Sequence, residues 1–392
     1  MRNFNLISIL AATILVVSCG EKEKPNPQIV VKNDMAINRS LETVSVPIAS
    51  LGLENPDGNL LIKDIADGTE LVSQLIDTDA DGNMDAILFQ PEIAANAEKT
   101  YEIVPTDKKM DSEDTPACYS RFVPERTDDY AWENNRVAFR TYGPTAQKMK
   151  EDGVKGGTLS SGMDAWLKRV DYPIIDKWYH KELETDGSYH EDNGEGLDNF
   201  HVGISRGVGG IAKKVDSTYY ISKNFTSWKT LHNGPLQTSF ELTYADWDAA
   251  GDTISEKKRI TLDYGSNLSK FEVMLTGTDT ISAGLTLHDK KGTKDIHQED
   301  GWISYWEPHE DSELGTAIVV PGMAMAGFEY YDTDKTDESN FYAHIATLND
   351  KATYYAGFGW KKSGQFENKA EWNDYLTRFA DCLKNPLVVE IK

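Results

Sequence analysis

The sequence predicts a mainly all-β protein: a small Ig-like β-sandwich followed by a large antiparallel β-supersandwich with a few helices. Three observations predict it. Phe240, Leu242 and Tyr244 alternate with Ser239, Glu241 and Thr243, and Ile260, Leu262, Tyr264 and Phe271, Val273, Leu275 repeat the pattern. Such period-two patterning, with one apolar face, marks antiparallel sheets stacked on a core. Short apolar runs between residues 29 and 106 are broken by Gly, Asn, Asp and Pro. One segment alone clearly follows the helical period. The Ig-like and supersandwich topologies themselves rest on analogy with known sandwich folds.

The chain opens with a leader. Arg2 gives a basic start, and Leu6 to Val17 is uncharged and apolar apart from Ser8 and Thr13. A bilayer span needs about 20 apolar residues, so this run reads as the core of a secretory signal over 1–18. It ends Val16-Val17-Ser18-Cys19-Gly20, which resembles a bacterial lipobox. That resemblance implies cleavage before Cys19 and acylation of its thiol. Each buried methylene adds about 0.8 kcal/mol, so several acyl chains anchor firmly. The charged, Pro-containing stretch from Cys19 to Gln28 reads as a tether. No later segment is apolar enough to cross a membrane. The expected location is lipid-anchored outside the cytoplasm, at the outer membrane, facing either the periplasm or the exterior.

Residues 29–106 form the predicted small domain. Val44 to Ile48 and Leu60 to Ile62 are short strands, and Thr100 to Val104 closes the unit. Within it, Asp77, Asp79, Asp81 and Asp85 have the D-x-D-x-D-G-x-x-D form of a calcium loop. Leu88 stands where an EF-hand needs a bidentate Glu, and the loop leads into an apolar strand. A structural calcium site and a metal-free acidic turn are both open. Asp107 to Thr115 is charged and turn-rich and marks the boundary before the large domain, 116–392.

In the large domain, Asp263 to Asn267 supplies a turn between two alternating strands, and Ala352 to Trp360 alternates again. Trp372, Tyr375, Leu376, Phe379, Ala380 and Leu383 recur at helical spacing. Asn368 and Glu371 fit a capping box at that helix's start, and Pro386 follows its end.

Composition narrows the function. The formal charge of −24 becomes −25 once Arg2 leaves with the leader. An acidic surface repels phosphate backbones, so nucleic acid is not expected as a partner. A local basic cleft in such a protein can still take anionic sugars. Cys118 and Cys382 remain after Cys19, and pairing and two free thiols are both open. No CxxC or His/Cys ligand spacing for zinc is visible. P-loop, G-x-S-x-G and strand-to-helix G-x-G-x-x-G motifs are absent, which argues against nucleotide chemistry and serine hydrolysis.

The densest chemistry runs from Asp128 to Gly210. It holds Asn134, Arg136, Arg140, Trp166, Lys168, Trp178, His180, Tyr189, His190 and His201, then Arg206 among glycines. Aromatic faces stack on sugars, and Arg or Lys pairs with carboxylate or sulfate. Plainer readings stand beside these. A Trp is commonly core, Arg136 and Arg140 can pair with nearby acids, and His180 can be a satisfied, partly buried residue. Asp192, Glu195 and Asp198 can bind metal, orient a histidine or cap turns.

Trp132 to Gly143, Gly162 to Arg169, Tyr189 to Gly210 and Tyr355 to Trp360 resemble an originally uncharacterised domain family of Bacteroidetes polysaccharide-utilisation loci. The resemblance spans the mature chain. It implies the activity of the family's ulvan oligosaccharide dehydratase. That activity removes water from a saturated uronic acid at the non-reducing end and leaves a 4,5-unsaturated uronyl residue. The resemblance supplies no catalytic residues.

From the residues themselves, the expected clamp on the uronate is Arg136 or Arg206, aided by Asn134. His190 is the expected base, and His201 or Tyr189 the acid. Trp166, Trp178 and Lys168 are expected to hold the sugar and a neighbouring sulfate. No cofactor is required. A polysaccharide lyase, a mutarotase-like epimerase and a non-catalytic glycan-binding lipoprotein are the alternatives.

Overall fold

The computed structural model describes residues 26–52, 59–106 and 116–392. The leader 1–18, Cys19, most of the tether and the boundary at Asp107 to Thr115 lie outside the described residues. No helix among the described residues is long and apolar enough to cross a membrane.

The small unit is a sandwich of two sheets. One has the strand order Val388–Ile391, Gln28–Lys32, Glu98–Thr106, Asn59–Asp64, Glu70–Leu71, and the other Val44–Pro47, Ala86–Phe89, Ser73–Ile76. Alternation sorts their faces. Val44 and Val46 turn inward while Ser45 and Pro47 face out. They meet Val31, Ile62, Phe89, Tyr101 and Ile103 in one core. The last strand is a departure from the sequence reading, which left the chain's end in the large unit. Val388–Ile391 returns to pair with Gln28–Lys32, with Ile29 opposite Ile391. Pairing across the whole chain length leaves no trace in local periodicity.

The large unit stacks a nine-stranded antiparallel sheet on two five-stranded sheets. The nine-stranded sheet contains Gln237–Tyr244, Asp252–Asp263, Leu268–Thr276 and Lys351–Trp360 side by side. Its apolar face carries Phe240, Leu242, Ile260, Leu262, Phe271 and Val273. One core joins that face to Phe139, Ala165 and Leu167 of one small sheet and Ile281, Ala283 and Phe341 of the other. This is the predicted all-β sandwich class.

Three helices appear among the described residues: α1 (Pro144–Glu151), α2 (Ile175–Glu184) and α3 (Lys369–Lys384). The third matches the sequence reading. The Asn368 side chain caps α3 by accepting from the Ala370 and Glu371 amides. Glu371 instead reaches one residue further back, to the Glu367 amide. Trp372, Leu376 and Ala380 pack on Trp302, Trp306, Ala317 and Val319 of the nine-stranded sheet. Helix α2 falls in the stretch read as chemistry-bearing. Its Ile175, Trp178 and Tyr179 share one face and cover Ala131, Ala138 and Trp166.

Candidate functional site

The site is built on one small sheet and the loop that folds over it. Ala138–Thr141 and Asp164–Lys168 are antiparallel neighbours, and their register sets Arg140 opposite Asp164. Asp129 enters from the next strand, Asp129–Glu133. The segment after α2 then crosses this sheet. It is pinned where the Asp198 amide donates to the Tyr189 carbonyl. Between sheet and loop lies a cleft of about 370 Å³. Its wall includes Arg140, Tyr142, Asp164, His190, Asp198 and His201.

Arg140 is the hub. Its Nε and Nη2 donate to Asp164 Oδ2 at 3.0 and 2.6 Å, Nη2 also donates to Asp198 Oδ2 at 2.9 Å, and Nη1 donates to the Tyr189 hydroxyl at 3.1 Å. Asp129 Oδ2 lies 3.6 Å from Nη1. Trp166 lies beneath, its ring 5.1 Å from the guanidinium carbon. The guanidinium remains charged, because its carboxylate neighbours outweigh burial.

One guanidinium against three buried carboxylates leaves surplus negative charge. The cheapest relief is a retained proton. Burial, and then the charge on Asp198, push the Asp164 carboxyl up to about 8. Burial pushes Asp129 up to about 6, while Arg140 pulls the other way. Asp164 Oδ1 is buried without a hydrogen-bond partner. Its surroundings therefore hold the Asp164 carboxyl toward the protonated, neutral form at the cleft wall, the state in which a carboxyl acts as an acid.

The two histidines are held differently. His190 Nδ1 lies 2.5 Å from the Asp198 carbonyl oxygen. A carbonyl only accepts, so Nδ1 carries the proton and the neutral ring keeps its lone pair on Nε2. The ring is 56% exposed. His201 Nε2 lies 3.2 Å from Asp337 Oδ1. Gly203 lets Asp337 come this close: a Cβ there would stand 2.1 Å from Asp337 Oδ2, at a backbone φ of +51°.

The other sequence-derived residues are placed elsewhere. Tyr189 is buried under Arg140, accepting from it and from Arg126 Nε at 3.3 Å, so it braces the hub. Arg136 lies by the 263–267 turn, donating to Asn267 Oδ1 at 3.2 Å. Arg206 is 1% exposed and spends its guanidinium on Ser161 Oγ and the Ile204 and Ile211 carbonyls. Neither lines the cleft, which corrects the expectation that one of them clamps substrate. The cation there is Arg140.

The expected substrate contacts are corrected too. Asn134 is a turn staple: Nδ2 donates to the Asp263 and Ser266 carbonyls, and Oδ1 accepts from the Arg136 and Val137 amides. Lys168 is sealed in, donating to Glu133 Oε2 at 2.7 Å and to the Asn134 and Tyr172 carbonyls. Glu133 in turn accepts from the Ile174 and Ile175 amides at the start of α2. Trp166 and Trp178 pack against each other in the buried cluster under α2. Their polar neighbours in sequence disguised core residues as a binding face.

In the Asp77 loop, Asp77, Asp79 and Asp85 bring carboxylate oxygens within 4.8 Å of one another. Asp81 lies outside that group, accepting from the Asn83 amide. Asp77 also accepts from the Asp79, Ala80, Asp81 and Gly82 amides. The loop joins two strands of the small unit, and none of its acids lines the cleft. A larger cavity of about 540 Å³ lies between the small unit, the nine-stranded sheet and α3. Of its charged groups, Arg259 pairs with Glu241 and Lys270 with Glu272, while Asp263 accepts from Gln237 Nε2 at 2.7 Å. Cys118 and Cys382 are both free thiols.

Sequence reasoning named His190 and His201 and offered Asp198 as a residue to orient a histidine, but it missed Asp164 and Tyr142, whose hydroxyl donates to Asp164 Oδ2 at 3.2 Å. The available signal was alternation: Tyr142 follows Arg140 at a two-residue step just past the strand's end, and Asp164 begins the neighbouring strand.

Residues 31–389 match a family described as a domain of unknown function, DUF4861. An uncharacterized protein P7 of Formosa agariphila is 52% identical over 395 residues, covering both chains in full. Among solved structures, an alpha-mannosidase from Enterococcus faecalis V583 is 10% identical, with a TM-score of 0.46 over 93% of this chain. A glycosyl hydrolase family 38 protein from Enterococcus faecalis has the same identity and TM-score over 94% of this chain. The chain spans 46% and 47% of those two structures.

Proposed function

This chain belongs to the DUF4861 family, and we propose that it is a carbohydrate-active dehydratase acting on a saturated uronic acid at the non-reducing end of sulfated, ulvan-type oligosaccharides. The observation that carries this reading is the meeting of a proton-holding acid and a histidine with a free ring nitrogen in one cleft. Asp164 holds a proton through burial beside Asp198, while His190 offers a bare Nε2 because Nδ1 is tied to the Asp198 carbonyl.

Dehydration needs both. His190 Nε2 takes the proton from C5, and the C5–H electron pair becomes the C4=C5 double bond. The C4–O bond breaks, and Asp164 gives its proton to the departing hydroxyl, which leaves as water. Negative charge gathers on the uronate carboxylate as C5 loses its proton. Arg140 supplies the balancing positive charge, the kind of contribution that is commonly the largest in such sites, and His201 lines the same cleft. Four of the five Arg140 N–H groups serve protein acceptors, so Arg140 acts mainly through its charge and by holding Asp164 and Asp198. Proton transfer at each end adds about 10²–10⁴-fold.

On this reading no cofactor is needed. Calcium at Asp77, Asp79 and Asp85 would be structural. The protein works outside the cytoplasm, held to the outer membrane by acylated Cys19.

The test is mass analysis of uronic-acid-terminated oligosaccharides after incubation with the protein. Loss of one water at constant chain length supports the dehydratase. Chain scission would identify a lyase, conversion at unchanged mass an epimerase, and binding without product a glycan-binding protein.

A further inference from the structure

Behind the wall that carries His201, a second cluster stands outside the elimination chemistry. Glu307 and His309 are two apart on the strand Trp302–His309, so they share one face. His288 follows the strand Thr280–Thr286. Each of the three offers a ligand atom, and those atoms lie within 4.8 Å of one another.

The cluster's hydrogen bonds are unfinished in a particular way. His288 Nε2 lies 3.0 Å from the His201 carbonyl oxygen, which can only accept. Nε2 therefore carries a proton and Nδ1 faces Glu307 Oε1 at 2.5 Å. Glu307 Oε2 and His309 Nε2 are buried with no hydrogen-bond partner. Glu307 is 1% exposed and His309 9%. The contacts to the His201 carbonyl and Glu307 Oε1 account for the His288 ring and one oxygen of Glu307. They leave Glu307 Oε2 and His309 Nε2 unsatisfied, which buried polar atoms rarely are. A cation among them would satisfy both.

We propose that His288, Glu307 and His309 bind a divalent transition-metal ion of the Zn²⁺ class. Two imidazoles and one carboxylate form a borderline donor set that suits Zn²⁺ and its first-row neighbours better than Ca²⁺ or Mg²⁺. The His201 carbonyl is the outer-shell acceptor that orients a metal-bound histidine. Phe200 packs edge-on against the His288 ring at 4.6 Å between centroids, closing one side. Three protein ligands leave a coordination position for water or another ligand. The metal would fix the segment that carries Phe200 and His201 and so shape the cleft from behind. This inference stands apart from the dehydratase reading, because it depends on the cluster alone.

The experiment uses the full mature chain, stripped with chelator and titrated with Co²⁺, then Zn²⁺. One equivalent of Co²⁺ with a low-symmetry visible spectrum, displaced by Zn²⁺, is expected. His309→Gln and Glu307→Gln should each weaken binding by more than about 100-fold, beyond the usual outer-shell loss. Asp79→Asn should leave it unchanged, since the acidic loop belongs to the small unit. Binding that survives His309→Gln, or disappears in Asp79→Asn, overturns the proposal. Crystals of the unmodified protein soaked in Zn²⁺ test it without any variant. An anomalous peak between the three side chains is expected, and its absence there overturns the site.

Discussion

Arg140 and Asp164 face each other across one antiparallel ladder, and Arg140 Nη2 lies 2.6 Å from Asp164 Oδ2. The pair is set by backbone register, on strands buried along their whole length. Asp198 and Asp129 approach the same guanidinium, so burial and the charge on Asp198 work against this cross-strand contact and hold the proton on Asp164. The sheet's geometry thus reaches directly into the cleft's chemistry.

Asp164→Asn keeps the shape and the acceptor but removes the transferable proton. Turnover should fall by about 10²–10⁴-fold with the substrate's KM little changed. In the unmodified protein, activity should decline as pH rises through about 8, where Asp164 loses its proton. A steady-state pH profile checks both, and an undiminished rate in the variant removes Asp164 from the reaction.

Stability should follow the same proton. Asp129 and Asp164 titrate above the ordinary value of 3.8, at about 6 and about 8. A buried acid whose pKa is raised favours the folded state while protonated. That contribution is complete below the ordinary value and is lost as pH climbs through about 6 for Asp129 and about 8 for Asp164. Thermal melts should therefore show Asp164→Asn losing less stability than the parent between those limits. Equal slopes would mean that Asp164 does not carry the proton.

His190 is exposed, and its ring makes one hydrogen bond, to a carbonyl, and meets the Tyr189 ring edge-on. His190→Ala should change stability by no more than about 0.5 kcal/mol. It should also remove the ultraviolet signal of the unsaturated uronyl product. A folded variant with full activity would leave the base unassigned.

Arg140→Met should destabilise by about 3–5 kcal/mol, because it strands buried carboxylates without their cation. Urea unfolding checks this. The loss should shrink at low pH, where those acids are protonated. A loss independent of pH would point to packing instead.

Trp166→Ala should cost about 3–5 kcal/mol through the cavity it leaves, since the ring is fully buried among Trp178, Tyr179 and Tyr189. Substrate affinity of the folded fraction should be unchanged. A selective loss of affinity would restore Trp166 as a sugar platform.

The sheets were legible because burial follows period two: Phe240, Leu242, Ile260 and Leu262 all face the core that their alternation implies. Helix α3 was legible from its stripe and its Asn368 cap. The site was legible only in outline. Sequence density drew attention to residues 128–210, and His190 and His201 do share a cleft there. It could not say that Arg136 and Lys168 turn to neighbouring carbonyls and acids while Arg140 turns to the cleft. That choice depends on register between strands and on the crossing of the 189–203 segment, both long-range. The cluster of His288, Glu307 and His309 was hidden for the same reason. Only Glu307 and His309 carry a local spacing, and a two-residue step on a strand is too common to read as a metal motif.

The most direct test follows the C5 hydrogen itself. A uronic-acid-terminated oligosaccharide carrying deuterium at C5 should react more slowly than its protium form and give an unsaturated product that has lost the label. Product formed at an equal rate, or with deuterium still in place, would contradict proton abstraction from C5 in this cleft.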